Sequence, residues 1–170
     1  GIFSTEKFLV SRRLMYWQVY LHKTVLCAEK MLVRIIERVR HLMQRGVEAS
    51  SGSALLDLFL RQQDTFPIES HLDEFCRLDD YDVLTAIKHW TEHPDYILRY
   101  LSRGLLDRKL LKVKMQADPI DESWANALEK KICSAHPVLA DECRYFLIRG
   151  EVINTTYDPI EERIQVLFKD

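Results

Sequence analysis

Residues 12–23, Arg12-Arg13-Leu14-Met15-Tyr16-Trp17-Gln18-Val19-Tyr20-Leu21-His22-Lys23, hold more potential chemistry than any other run and sit inside the chain's first helical pattern. On a helix each residue advances by about 100°, so Arg12, Tyr16, Tyr20 and Lys23 fall on one stripe. The stripe offers a guanidinium, two phenols and an ammonium to a single ligand. Arginine and lysine suit phosphate, and a tyrosine ring packs on a sugar or base while its hydroxyl donates. The same spacing also suits an ordinary amphipathic helix, with aromatics in the core and cations reaching out to water. Pattern alone leaves both readings open.

Helical periodicity extends from this run in both directions. Ser4 is the expected N-cap, without the acidic partner of a full capping box. The pattern runs on to Gln44, with Gly46 as the stop. Leu32, Ile35, Ile36, Val39, Leu42 and Met43 form a broad apolar face at helical period. So long a helix is unusual in a compact domain, and a kink or break is expected near residues 20–23.

Further along, Ser51 or Ser53 is expected to cap a helix reaching about Gln63, with Leu55, Leu56, Phe59 and Leu60 inward. Residues 64–67 break it, and residues 69–77 read as a short helix. Asp79 or Asp80 caps a helix to Glu92 that turns Val83, Leu84, Ile87 and Trp90 to the core. Pro94 is expected in the first turn of the next helix, which ends at Gly104. The pattern then becomes mixed. Residues 110–115 alternate and read as a strand, residues 121–135 as an amphipathic helix carrying Trp124, Leu128 and Ile132, and residues 145–154 and 164–168 as two more strands. The expected fold class is α+β, mainly helical: a long N-terminal helix, a helical bundle, then a small antiparallel sheet with one packed helix. A helical region over residues 1–105 and a small α+β subdomain over residues 106–170 follow from this. The chain opens on Gly1, and its last strand stops close to the final residue, so a piece of a longer protein is expected.

At 170 residues, 47% hydrophobic and 29% charged, the chain can bury a real core and has the composition of a soluble globular protein. No apolar run approaches a membrane span, so no membrane role is expected. The net charge of −2 is unevenly spread. Residues 6–45 carry nine Lys/Arg against three Asp/Glu, and residues 101–114 carry five against one. If these basic blocks meet, they form an anion site; otherwise they are two solvated faces. A nucleic-acid role is disfavoured by the acidic remainder and the lack of a recognised motif. Cys27, Cys76, Cys133 and Cys143 form no Cys-x2-Cys pair, so free thiols in a reducing cytosol are expected. His89 and His93 stand at i,i+4 without a third ligand and read as part of an ordinary interhelical turn, so no metal site is expected in this chain.

The run RRLMYWQVYLHKT, with its Arg-x3-Tyr-x3-Tyr-x-His-Lys spacing, resembles the helix that follows the catalytic core in HD-domain deoxynucleotide triphosphohydrolases of the SAM-and-HD-domain type. The later run LLDRKLLKVK resembles that family's Arg-x3-Lys segment, and RGEVINTTYDPIEERIQVLFKD resembles its C-terminal strand pair. The resemblance implies hydrolysis of a dNTP to deoxynucleoside and triphosphate, with a divalent metal such as Mg2+ or Mn2+ in the full-length parent. The family's His…His-Asp…Asp ligand motif is absent, since no histidine here is followed by Asp. The resemblance therefore implies the C-terminal portion of a larger HD-domain protein, inactive by itself and with no catalytic residue of its own. By matching positions, Arg12 is a substrate-phosphate contact and Tyr20 a deoxyribose contact. Tyr16 stands where nucleotide-regulated members carry a histidine, which departs from the family pattern. His22, Lys23, Arg108 and Lys112 match an effector-nucleotide site that in the family lies between subunits. The implied partners are a dNTP or GTP and further copies of the chain in a homo-oligomer, in the cytoplasm. The competing reading is a helical protein-interaction or scaffold module with no catalytic role.

Overall fold

Helices account for all the regular structure in the computed structural model, which describes residues 1–62 and 67–152. They are α1 (Ile2–Met15), a π-helical turn (Tyr16–Tyr20), α2 (Lys23–Gln44), α3 (Ala54–Leu60), α4 (Leu72–Cys76), α5 (Asp80–Trp90), α6 (Tyr96–Leu106) and α7 (Glu122–Ala135). Short 3-10 turns lie at Ile68–His71 and Ala140–Tyr145. The chain divides into two compact units, Gly1–Leu26 with Arg149–Asp170, and Cys27–Ile148.

In the first unit, α1 starts directly after Gly1, so the expected cap Ser4 lies inside the helix. None of its residues is buried. The helix then widens, and the Leu21 amide donates to the Tyr16 carbonyl at 2.8 Å, a bond spanning five residues. Leu21 leaves helical geometry at φ −94° and ψ 12°, and α2 begins at Lys23. The break expected near residues 20–23 is therefore present.

In the second unit, Met31, Ile35, Val39 and Leu42 repeat at three- and four-residue spacing along α2, and all are buried. They join Ala86 and Trp90 of α5 and Ile97, Leu98 and Leu101 of α6 in one core. The Trp90 indole N–H donates to the Ser50 carbonyl at 2.9 Å, so its one polar group is satisfied at full burial. The helix starts follow capping chemistry. Ser53 accepts from the Leu56 amide and donates to Asp82, and Asp79 and Asp82 form a capping box. Asp95 and Asp121 cap α6 and α7. The helix α2 ends at Gln44, with Gly46 at φ +76°, a left-handed position that suits glycine.

Several expectations are corrected. Pro94 precedes the cap Asp95 and is not in the first turn of α6. That helix also runs past Gly104, which lies within it because a Cβ there would meet the Lys109 carbonyl at 3.1 Å and Met31 Cε at 3.2 Å. Leu84 and Trp124 are largely exposed and not part of the buried core, and the Trp124 ring centre instead lies 4.4 Å from Lys114 Nζ. Among the described residues there is no strand, so the expected antiparallel sheet is not formed and the α+β class is overturned. Residues 110–115 are a strap with no strand partner among the described residues. Leu110, Leu111 and Val113 pack on the helical core while Lys112 and Lys114 face out. Sulfur atoms take the strap's backbone groups: the Leu111 amide lies 3.5 Å from Met31 Sδ, and Cys27 Sγ lies 3.2 Å from the Leu111 carbonyl. The start of the expected second strand is the end of the 3-10 turn, and residues 146–152 have no regular structure. Residues 153–154 and the expected third strand at 164–168 lie outside the described residues. The expectation of free thiols is corrected as well, because Cys133 and Cys143 form a disulfide, leaving Cys27 and Cys76 free.

Candidate functional site

Arg12 and Arg13 occupy the last turn of α1, where cations interact favourably with the helix dipole. The Arg12 guanidinium carbon lies 5.8 Å from the Tyr16 ring centre, and the Tyr16 and Tyr20 rings are 5.0 Å apart at 46°. These contacts put Arg12, Tyr16 and Tyr20 in one continuous row, as the helical spacing predicts. Tyr20 is 50% exposed and Arg12 is exposed, so the row is not part of a core. The π-helical turn was not legible in the sequence. Such turns widen the backbone and recur at functional sites.

His22 and Lys23 follow at the break. The Thr24 amide donates to His22 Nδ1 at 3.2 Å, and the His22 carbonyl accepts from Val25 and Leu26, so His22 caps α2 and Lys23 is its first residue. Arg108 and Lys112 belong to the other unit. Arg108 sits just after α6 at φ 57°. Its amide donates to the Leu105 carbonyl, and the Lys109 amide donates to the Gly104 carbonyl at 2.8 Å. This pair of bonds is a Schellman closure with arginine in the left-handed position where glycine is preferred. The left-handed conformation is less favourable for arginine than for glycine, and the Arg108 side chain is exposed. Lys112 points outward from the strap.

A second cluster was missed by sequence reasoning. Arg38 of α2 is only 5% exposed. Its Nε and Nη2 donate to Asp95 Oδ1 and Oδ2 at 3.1 and 2.6 Å. Its Nη1 stands 2.7 Å from Glu142 Oε1, as an ion pair without a well-angled hydrogen bond. The guanidinium also lies 5.3 Å from the Tyr145 ring centre. Burial by itself raises the Asp95 pKa, but the hydrogen bonds from Arg38 and the Leu98 amide, with the charge of Arg38, hold it below the ordinary value. Burial likewise works against the Arg38 cation, and its two carboxylate partners outweigh it and push its pKa up. One signal for this cluster was available. Arg38 lies on the stripe of Ile35, Val39 and Leu42, where a cation needs a partner.

Two other features are structural. His93 Nδ1 accepts from the Asp95 amide at 3.0 Å, and Nε2 lies 2.8 Å from the Glu48 carbonyl, so this ring braces the interhelical turn. Among the described residues no group of three or more His, Cys, Asp or Glu side chains is placed to hold a metal ion. A groove of about 720 Å³ beside α2 has Leu32 and Ile36 on its floor and Arg34, Arg40 and Arg144 at its edge. Arg34 is paired with Glu37 at 2.6 Å and Arg40 with the Gln62 carbonyl at 3.0 Å, which makes it the weaker anion site. No helix among the described residues is long and apolar enough to cross a membrane.

The family model described as "HD associated region" matches residues 1–144. The chain is 28% identical over 125 residues to the uncharacterized protein YwfO of Bacillus subtilis (strain 168), covering 74% of this chain and 27% of that protein. Its fold is similar to that of a phosphohydrolase from Bacteroides thetaiotaomicron VPI-5482, with a TM-score of 0.79 and 40% identity, covering 85% of this chain and 37% of that one. The chain thus spans roughly a quarter to two fifths of the length of these two relatives.

Proposed function

The chain belongs to the HD-associated-region family, and we propose that it serves a metal-dependent nucleotide phosphohydrolase by holding the nucleotide, while the rest of the parent protein performs the cleavage. One observation carries this reading, the row in which the exposed Arg12 guanidinium lies over the half-buried Tyr16 ring and Tyr16 packs on the exposed Tyr20. A guanidinium binds a phosphate oxygen pair through two N–H donors, and a phenol ring beside it packs on a pentose and crowds a 2′-hydroxyl. A dNTP is the substrate that fits both properties. The likeness to a phosphohydrolase and the chain's partial coverage of it support the division of labour. In this reading the divalent ion, Mg2+ or Mn2+, would be held by the remainder of the parent protein.

In the second part of the reading, His22 and Lys23 on one unit and Arg108 and Lys112 on the other are effector-nucleotide contacts, and the chain works in a cytoplasmic homo-oligomer. The exposed Arg108, kept in a left-handed backbone position, supports it. The scaffold reading also has an observation in its favour, because α1 buries none of its residues while Phe3 is 81% and Phe8 is 62% exposed.

Kinetics on the full-length parent decide between them. With Mn2+ and each dNTP, Arg12→Ala should lower kcat/KM by roughly ten- to a hundredfold, the loss of one charge-assisted contact. Tyr20→Ala should weaken discrimination against the ribonucleotide. The isolated chain should release no triphosphate. Wild-type kcat/KM in both variants would remove the nucleotide-holding role and leave the scaffold.

A further inference from the structure

The disulfide closes a short loop between two parts of the second unit that are held very differently. Cys143 lies in the Ala140–Tyr145 turn and is fully buried, and that turn supplies Glu142 and Tyr145 to the Arg38 cluster. Phe146 follows it, stacked 4.2 Å from the His136 ring. Cys133 lies in the last turns of α7 and is half-buried. Of α7 only Ala125 is fully buried. The bond therefore ties a helix with little burial of its own to an anchored turn, across a sequence separation of 10 with Cα atoms 5.5 Å apart.

We propose that Cys133 and Cys143 are a reversible redox modification site, at which exchange with a low-molecular-weight thiol or disulfide releases or docks α7. In oxidation, the Cys133 thiolate attacks a small disulfide and expels one small thiolate. The buried Cys143 thiolate then attacks Cys133 Sγ and expels the second. Two protein thiols lose two electrons and two protons, and the small disulfide becomes two small thiols. Reduction runs the same bonds backwards, with a small thiolate attacking Cys133 Sγ, the more accessible sulfur, and Cys143 leaving. The reduced form has a place for its proton, because Cys143 Sγ lies 3.6 Å from the Leu139 carbonyl, to which the thiol donates. The turn itself needs no disulfide to stay in place, since the Arg38–Glu142 pair and the Tyr145 and Phe146 side chains hold it.

The test uses the full chain carrying Cys76→Ser, which removes the exposed free thiol. The protein is equilibrated in buffers of reduced and oxidised glutathione, alkylated, and weighed by peptide. In parallel, amide exchange is followed in α7, α2 and α6. The 133–143 bond should form and break reversibly across the series. On reduction, exchange in α7 should speed up by ten- to roughly a hundredfold, within the range a short closed loop provides, while α2 and α6 stay unchanged. Cys133→Ala, at a half-buried position, should show the fast α7 exchange in every buffer. Three results overturn the proposal: no 133–143 bond in oxidised glutathione, equal α7 exchange in both states, or loss of protection in α2 and α6 on reduction, which would make the bond a plain structural staple.

Discussion

Two arginine–tyrosine contacts of nearly the same geometry sit on consecutive helices and do different things. In α1 the Arg12 guanidinium lies 5.8 Å from the Tyr16 ring centre, and in α2 the Arg38 guanidinium lies 5.3 Å from that of Tyr145. Arg12 is exposed, and among the described residues no ion pair engages it, whereas Arg38 is buried and shared between Asp95 and Glu142. An exposed contact of this kind is worth only about 0.5–1 kcal/mol. A buried cation must be fully partnered, or it costs several times as much. The same chemical pair is thus ion-paired at Arg38 in one unit and without an ion pair among the described residues at Arg12 in the other. Burial, and not residue type, separates the two arginines.

The comparison breaks most visibly at Arg38. Arg38→Ala leaves Asp95 and Glu142 facing each other with no cation between them, so chemical denaturation should show a loss of about 3–5 kcal/mol. A loss below about 1 kcal/mol would mean that the cluster is as solvated as the α1 row.

Acid titration should show the same cluster with a smaller effect. The Asp95 pKa is lower in the folded protein than its ordinary value of 3.8. Its contribution to stability is therefore fully present above that value and disappears as the pH falls through the lower, folded value. Between pH 7 and pH 3 the wild type should lose more stability than Asp95→Asn, which has no such proton to gain. Parallel curves for the two proteins would place the acid sensitivity elsewhere.

The smallest stability effect should come from the α1 row. Arg12→Ala and Tyr20→Ala should each change the stability of the chain by less than about 1 kcal/mol, because neither side chain is buried. A loss of several kcal/mol from either would make the row part of a core and remove the contrast with Arg38.

Much of the fold was legible because its signals are local. A Ser or Asp ahead of an apolar periodic run marks a helix start, and Ser53, Asp79 and Asp121 cap the helices they precede. The break after Tyr20 and the stop at Gly46 follow from length and backbone freedom. The row of Arg12, Tyr16 and Tyr20 was legible for the same reason, since helical spacing by itself puts those side chains together.

What the sequence by itself determined was therefore set within a few residues: the caps of α3 and α5, the stop at Gly46, which face of α2 is apolar, and the row of Arg12, Tyr16 and Tyr20. Tertiary structure alone decided the rest. Leu111 and Val113, alternating with Lys112 and Lys114, fit a strand or a strap equally well, because alternation records only which side is covered. The absence of a partner strand among the described residues, and the core of helices beneath, made them a strap. The Cys133–Cys143 bond depended on a turn bringing two thiols together. The union of Arg38 with Asp95 and Glu142 depended on the packing of α2, the cap of α6 and the 140–145 turn, contacts between distant residues that no local spacing encodes.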